Sequence, residues 1–201
     1  MKELLIILAA YLVGSVPSGY IIFRRGLKRD IRGLGSRSTG ATNVLRLAGW
    51  KYAVPVLVAD VLKAAVPVAL ILQLSGDRRL AMAAALAVAL GHCYPLFINF
   101  RGGKGVSTAM GAFAVLSPPL FASGLVVFAG VIAATRLVSL GSLLGILSVS
   151  LLAFFWKVDV ELGILGAAIF LLAAIRHKDN IRRLIAGRER KLGEKKEPET
   201  P

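Results

Sequence analysis

Long apolar runs separated by short polar connections constrain this chain more than any other feature of its sequence. A helix of about 20 apolar residues crosses the hydrocarbon core of a bilayer. Lipid offers no partner to a backbone N–H or C=O group, so a chain with several such runs folds as a bundle of helices. With 56% hydrophobic residues, the sequence predicts an all-α polytopic membrane protein and excludes an ordinary soluble domain.

The candidate spans are 3–23, 51–74, 79–99, 138–156 and 160–175, with an ambiguous apolar stretch at 106–135. Pro118 and Pro119 divide that stretch, which suits either one broken helix or two short helices. The segment from Arg24 to Lys51 carries eight Lys and Arg residues, and the tail from Arg176 carries nine. The positive-inside rule places both segments on the cytoplasmic side.

Two segments on the same side must be separated by an even number of spans. Four unambiguous spans lie between them, so the ambiguous stretch must contribute two, at about 106–117 and 119–135. The sequence therefore predicts about seven transmembrane helices, some of them short, with the N-terminus outside and the C-terminus cytoplasmic. We expect one transmembrane domain over 1–190, and a disordered cytoplasmic tail over 191–201 because that segment is charged and contains proline.

The basic residues that give the chain its net charge of +14 lie between the spans. This placement favours anionic lipid and phosphorylated substrates as partners and disfavours nucleic acid, which would need a basic face on a soluble fold. The single cysteine, Cys93, excludes a disulfide framework and, inside an apolar segment, is expected to behave as a small hydrophobic residue. No residues have metal-ligand spacing, so we expect no metal and no cofactor.

The first polar segment with candidate chemistry is "GLGSRSTGATNVLR", residues 33–46. Its backbone and hydroxyl donors, followed by a guanidinium, suit a phosphate group. The alternative is a solvated loop that ends in a helix cap. The candidate site residues in this segment are Gly35, Ser36, Gly40, Thr42, Asn43 and Arg46.

The second polar segment is the glycine loop "RGGKGVST", residues 101–108. If a helix begins near Val106, its free N–H groups and its dipole favour an anion at this loop. The loop lacks the spacing of a nucleotide-binding P-loop, and the alternative is a turn between two spans. The candidate substrate-binding residues are Arg101, Gly102, Gly103, Lys104, Gly105, Ser107 and Thr108.

The third polar segment is "RHKDNIRRLIAGRER", residues 176–190. His177 and Asn180 are three residues apart and would share a face of a helix, although a basic stop-transfer tail would explain the arginines equally well. Ser142, near the start of a span, is a further candidate for binding substrate.

Ionisable residues also occur within the spans. Asp60 and Lys63 lie one helical turn apart. Because charges inside a bilayer are costly unless they pair or serve a site, we interpret these two as a structural ion pair. For His92, the sequence leaves a buried, hydrogen-bonded histidine and a site residue equally open.

In this order, the three segments resemble the motifs of the acyl-phosphate:glycerol-3-phosphate acyltransferase family of bacterial inner membranes. The first keeps Gly35, Ser36, Gly40, Ala41, Thr42, Asn43 and Arg46, with Arg37 and Ser38 where the family usually has Gly-Asn. The second is similar, with Arg101 where lysine is common, and the third matches through His177, Asn180, Gly187 and Glu189.

The resemblance implies that an acyl group passes from acyl phosphate to the sn-1 hydroxyl of glycerol-3-phosphate at the cytoplasmic face, giving lysophosphatidic acid and inorganic phosphate. It associates the glycine loop with glycerol-3-phosphate, four residues with activity, and Glu189 with structural integrity. Those four are Ser36, Arg46, His177 and Asn180. His177 is the natural general base, because imidazole titrates near neutrality, but a substrate phosphate could take the proton instead. The oligomeric state stays open.

Two other classes of function remain as alternatives. A transporter of a phosphorylated anion would also use basic loops and half-helices whose N-termini face the anion. The gathering of polar segments on one face, and not near the bilayer midplane, disfavours it. A nonenzymatic scaffold for anionic lipid would explain the charge but would leave the glycine loop without a role.

Overall fold

All regular structure that the computed structural model describes, in residues 1–155 and 159–194, is helical, which confirms the all-α class. The helices are α1 (Lys2–Ser15), α2 (Ser18–Leu27), α3 (Ala41–Ala48), α4 (Trp50–Ser75), α5 (Arg78–Cys93), α6 (Val106–Leu116), α7 (Pro118–Thr135), α8 (Val138–Phe155), α9 (Val160–Arg176) and α10 (Lys178–Ile185). Two 3-10 turns, Ile31–Gly33 and Leu96–Ile98, lie in the connections after α2 and α5.

Five helical segments are long and apolar enough to cross a membrane: Lys2–Leu27, Trp50–Ser75, Arg78–Ile98, Pro118–Thr135 and Val138–Phe155. Helices α9 and α10 together form a sixth candidate, bent by 72°. The ambiguous stretch is two helices, α6 and α7, as parity predicts. Helix α6 has 11 residues, so it is about 16 Å long against a hydrocarbon core of about 30 Å. The count of seven spans stays a prediction, and residue 156 of the predicted span 138–156 lies outside the described residues.

The predicted first span, 3–23, lies in the candidate span Lys2–Leu27, which consists of the two helices α1 and α2. Pro17 lacks a backbone N–H and restricts the residue before it, so Val16 adopts extended backbone (φ −61°, ψ 113°). The carbonyl of Val16 accepts a hydrogen bond from Lys63 Nζ at 3.2 Å. Helix α2 then continues beyond the predicted boundary to Leu27.

Glycines allow the helices to approach closely. A Cβ added at Gly14 of α1 would lie 2.3 Å from the carbonyl oxygen of Val88 in α5, and one at Gly111 of α6 would lie 2.1 Å from that of Val61 in α4. Small residues serve this purpose in membrane bundles, where packing and not the hydrophobic effect holds helices together. Helix α5 is the central one: 67% of its span is buried, against 22% for α4. Its last residues therefore lie inside the bundle.

The three polar segments predicted to share a face meet at one end of the bundle. Arg46 donates to the carbonyl of Arg190 at 3.1 Å, which joins the first segment to the third. Arg176 donates to the carbonyl of Gly103 at 3.0 Å, which joins the third to the second. At the opposite end, Arg79 pairs with Glu161 at 2.6 Å.

The described part of the tail lies against the same end of the bundle. Leu192 N–H donates to the carbonyl of Arg136 at 2.7 Å, and the Arg136 guanidinium donates to the carbonyl of Leu192 at 2.8 Å. Residues 195–201, on which the rest of the tail prediction falls, lie outside the described residues.

Candidate active site

A cleft of about 1280 Å³, partly open to solvent, lies where the three polar segments meet. Eleven of the residues singled out from the sequence line it: Ser36, Gly40, Thr42, Asn43, Arg46, Lys104, Ser107, Ser142, His177, Asn180 and Glu189. Its remaining wall includes the apolar side chains of Leu57, Met110 and Phe128. The cleft can therefore hold a molecule that has both a charged and an apolar part.

Asn43 organises the first polar loop. Its Oδ1 accepts the backbone N–H of Ser36 at 3.0 Å, and its Nδ2 donates to the carbonyls of Leu34 at 3.1 Å and Ser38 at 2.8 Å. Gly35, at φ +60°, is required here because a Cβ would lie 2.4 Å from Asn43 Oδ1. Asn43 and Gly35, predicted to bind substrate, thus shape the loop that presents Ser36 to the cleft.

Arg46 brings a partly buried cation to the cleft from the last turn of α3. Burial lowers the pKa of its guanidinium, and the Glu189 carboxylate opposes this effect. One Nη atom donates to the carbonyl of Arg190, while the buried Nε has no acceptor among the described residues. A guanidinium with a free donor beside a cleft suits a phosphate oxygen.

Hydrogen bonds with His92 and Arg176 fix the backbone of the glycine loop. Gly103 N–H donates to the carbonyl of His92 at 3.0 Å. Arg176 stacks 5.0 Å from the centre of the Tyr94 ring and donates to the carbonyls of Gly102 and Gly103 at 3.1 and 3.0 Å. The N–H of Gly103 is therefore engaged within the protein, and a substrate-binding role for Gly103 stays a prediction.

The start of α6 presents the second segment to the cleft. The helix begins at Val106 as expected, after Gly105 at φ +81°. Ser107 lines the cleft, and the first N–H groups of a helix favour an anion. The buried hydroxyl of Thr108 donates to the carbonyl of Gly105 at 2.9 Å, and its role in binding substrate stays a prediction. Arg101 is exposed and does not line the cleft.

A chain of polar contacts links the second and third segments. Lys104 Nζ donates to Asn180 Oδ1 at 2.5 Å, and Asn180 Nδ2 donates to Glu189 Oε1 at 2.6 Å. Glu189 also accepts from Ser139 at 3.0 Å and from Arg183 at 2.7 Å. Burial opposes ionisation of Glu189, but the hydrogen bonds from Asn180, Arg183 and Ser139 outweigh it and lower the pKa. Glu189 thus joins α8, α10 and the tail, in keeping with the structural role expected of it.

Lys104 and His177 both have lowered pKa values. Burial, with the nearby positive charges of Arg46, Arg183 and Arg176, lowers the pKa of Lys104 to about 8. Burial and the charge of Lys104 lower the pKa of His177 to about 4. His177 Nδ1–H donates to the carbonyl of Ala173 at 2.8 Å, so Nε2 of the neutral ring is left as an acceptor. Near neutral pH, the cleft therefore contains a lysine that is mostly charged and a histidine that is neutral.

A polar cluster lies beneath the glycine loop. Asp60 Oδ1 pairs with Lys63 Nζ at 2.8 Å and accepts from Ser18 Oγ at 2.5 Å. Lys63 Nζ also contacts His92 Nδ1 at 2.8 Å. The two charged residues form the ion pair expected of them, and His92 lines the cleft.

Sequence reasoning missed the structural arginines Arg176 and Arg183. The spacing carried a signal for one of them, since Arg183 follows Asn180 by three residues on α10. Residues three apart on a helix share a face. Among the described residues, no group of three or more His, Cys, Asp and Glu side chains could hold a metal ion.

Comparisons with known proteins extend over nearly the whole chain. A family model described as "Glycerol-3-phosphate acyltransferase" matches residues 4–187. The glycerol-3-phosphate acyltransferase of Thermoanaerobacter pseudethanolicus is 42% identical over 198 residues, covering 98% of this chain and 99% of the relative. That of Syntrophotalea carbinolica is 42% identical over 190 residues, covering 94% and 96%.

Two solved structures share the fold. The crystal structure of PlsY (YgiH), an integral membrane glycerol 3-phosphate acyltransferase, in its glycerol 3-phosphate form has a TM-score of 0.90 at 36% identity and covers 96% of each chain. The lysophosphatidic acid form has a TM-score of 0.86 at 35% identity. This likeness to an integral membrane protein confirms the multi-pass membrane class.

Proposed function

The chain belongs to the glycerol-3-phosphate acyltransferase family, and we propose that it transfers an acyl group from acyl phosphate to the sn-1 hydroxyl of glycerol-3-phosphate. The products are lysophosphatidic acid and inorganic phosphate. One observation carries the proposal: a single cleft combines partly buried cations, Lys104 and Arg46, with the apolar wall at Leu57, Met110 and Phe128. Solved relatives named for their glycerol 3-phosphate and lysophosphatidic acid forms support this substrate and this product.

The reaction needs positioning more than covalent catalysis. The sn-1 hydroxyl oxygen forms a bond to the acyl carbon, the acyl–phosphate bond breaks, and phosphate leaves with the bonding electrons. Phosphate is a good leaving group, so no acyl-enzyme is required. Arg46, Ser36 and Lys104 line the cleft. We assign Arg46 to the leaving phosphate through its charge and Ser36 through a hydrogen bond, and we assign Lys104 and the start of α6 to glycerol-3-phosphate.

His177 suits the role of an orienting acceptor. A base with a pKa of about 4 takes up protons poorly near neutral pH, because an effective general base has a pKa near the working pH. Its Nε2 can still accept a hydrogen bond from the attacking hydroxyl, while Lys104 fixes the amide of Asn180 beside it. We assign the final proton transfer to a substrate phosphate, whose pKa lies near 6.

The proposed setting is the bacterial cytoplasmic membrane. We place the cleft at the cytoplasmic face, with the N-terminus outside, the C-terminus inside and seven membrane segments. The dense basic residues of 24–51 and 176–194 support this orientation. Helix α6 lies within the bundle, packed on α4, α5 and α7, so it need not cross the full bilayer to be shielded from lipid.

The test is a reconstituted assay with purified protein, synthetic acyl phosphate and labelled glycerol-3-phosphate. We expect lysophosphatidic acid and inorganic phosphate to form in equal amounts, without added metal or nucleotide. Uptake of glycerol-3-phosphate into proteoliposomes, with no acylated product, would instead support the alternative of anion transport. Lipid binding with neither activity would support a scaffold.

A further inference from the structure

His92 places a ring edge directly against the glycine loop. The residue lies in the last turn of α5 and is 5% exposed, yet its side chain lines the cleft. A Cβ added at Gly103 would lie 1.9 Å from His92 Nε2 and 2.5 Å from Cε1. The Nε2 edge of the ring therefore faces the loop, and the Nδ1 edge faces away from it.

The contacts of Nδ1 determine which ring nitrogen carries the proton. Lys63 Nζ lies 2.8 Å from His92 Nδ1 and also 2.8 Å from the carboxylate of Asp60. As the partner of this carboxylate, the Lys63 ammonium donates hydrogen bonds and accepts none. Nδ1 is therefore an acceptor. Asp60 Oδ1 is farther from Nδ1, at 3.5 Å, so it acts on the ring through Lys63, and the ring proton lies on Nε2.

This leaves an N–H donor without a partner at the floor of the cleft. No acceptor for His92 Nε2 is found among the described residues, and the ring lines the cleft, where a bound molecule can accept from it. We propose that His92 is a substrate-binding residue whose Nε2–H donates to a phosphate oxygen of glycerol-3-phosphate, with Lys63 and Asp60 as positioning residues that fix its tautomer. The identity of this anion rests on the proposed function.

The two histidines of the chain are therefore complementary. His177 donates from Nδ1 to the carbonyl of Ala173 and leaves Nε2 as an acceptor. His92 accepts at Nδ1 and presents Nε2–H. Glycerol-3-phosphate needs both kinds of group, because its phosphate oxygens only accept hydrogen bonds and its hydroxyls can donate them.

A matched pair of substitutions separates this role from a structural one. In His92→Asn, the amide oxygen can take the place of Nδ1 beside Lys63, but no donor reaches the position of Nε2. In His92→Gln, the longer side chain returns an N–H donor to that position. We expect His92→Asn to raise the Kd and the KM for glycerol-3-phosphate about tenfold to 100-fold, the range for a hydrogen bond to a charged group. The KM for acyl phosphate should change little, and His92→Gln should restore most of the affinity.

Outcomes against the proposal are equally specific. Unchanged affinity in His92→Asn would overturn it, and so would a loss in His92→Gln that His92→Asn does not share, which is the pattern of a contact made only to Lys63. The proposed function is judged separately on the wild-type protein. Wild-type protein without acyl transfer counts against that function, whereas active wild-type protein with an unaffected His92→Asn counts against this inference alone.

A measurement on the wild-type protein tests the proposal even where the variants do not fold. The chain has two histidines, so ¹⁵N labelling of histidine gives a spectrum in which the two rings can be distinguished. We expect opposite tautomers, with Nε2 protonated in His92 and Nδ1 protonated in His177, and a shift of the His92 Nε2–H resonance when glycerol-3-phosphate is added. An Nδ1-protonated His92, or a resonance unaffected by saturating glycerol-3-phosphate, would overturn the proposal.

Discussion

At the scale of single residues, two neighbouring cations should differ sharply in effect. Lys104 lines the cleft and contacts Asn180, whereas Arg101 is exposed and lies outside it. We expect Lys104→Ala to lower kcat/KM for glycerol-3-phosphate about 100-fold, since hydrogen bonds to charged groups contribute most where they are desolvated. Arg101→Ala, the matched control, should stay within about threefold of wild type. Equal losses in steady-state assays of both variants would place the phosphate outside the cleft.

The lowered pKa of Lys104 predicts a pH dependence. Burial brings this pKa to about 8 in the free protein, and only the protonated amine attracts a phosphate. The KM for glycerol-3-phosphate should therefore rise as the pH increases through about 8. In Lys104→Arg the rise should be absent up to about pH 10, because a guanidinium stays charged there. A rise of the same size in the arginine variant would assign the titration to another group.

His177→Gln tests the assignment of the proton. Loss of a general base costs about 10²–10⁴-fold in turnover. If a substrate phosphate takes the proton, as the pKa of about 4 for His177 favours, the substitution removes only an orienting hydrogen bond, and kcat should fall by about tenfold or less. A loss above 100-fold in folded protein, together with a changed acid limb of the pH–rate profile, would make His177 the base.

The candidate site could be predicted only in part at this scale. Ser36, Arg46 and Lys104 are polar residues outside the spans, and the structure brings them to one cleft. Composition cannot tell which polar groups are already used within the protein. The amide of Asn43 is hydrogen-bonded within its own loop, and Gly103 N–H donates to the carbonyl of His92. Such pairings depend on the folded backbone, so residue type alone does not reveal them.

At the scale of elements, the first polar loop contains a strained residue. Arg37 adopts φ +59°, a region that costs an L-residue about 1–2 kcal/mol, and glycine is usual at this position in the family that the loop resembles. We expect Arg37→Gly to raise stability by up to about 1 kcal/mol, since relief of strain exceeds the entropic cost of glycine. Thermal unfolding in detergent would measure it. Arg37→Ala removes the charge but keeps the strain, so an equal gain in that control would assign the effect to charge.

Helix boundaries were predictable where proline or span length determines them. The division between α6 and α7 follows from Pro118 and from the parity of the spans. The break after α1 was missed because the apolar pattern continues through Pro17, and only the proline signals it. No proline in the sequence signals the 72° bend between α9 and α10. It follows from the contacts of Asn180 with Lys104 and Glu189.

At the scale of the whole molecule, the folded structure and the charge pattern both place the two basic segments on the same side. Residues 24–50 and 176–194 meet at one end of the bundle through the contact of Arg46 with Arg190. We therefore expect the chain between them to cross the membrane an even number of times. Charge counting reached the same parity without coordinates, because the segments that carry most of the basic residues also carry residues that line the cleft. The depth to which α6 enters the bilayer does not follow from charge.

Cysteine labelling tests the orientation in a Cys93→Ala background. Cys93 is buried beneath Gly105, so its replacement leaves the surface unchanged. Arg29 and Lys191 are exposed at the cleft end, and Ser75 is exposed at the opposite end. We expect a membrane-impermeant maleimide to label Ser75→Cys in spheroplasts and to label Arg29→Cys and Lys191→Cys only after permeabilisation. Labelling of Arg29→Cys in intact spheroplasts would show that the cleft faces away from the cytoplasm. Opposite labelling patterns at Arg29 and Lys191 would contradict the even number of crossings on which the shared site depends.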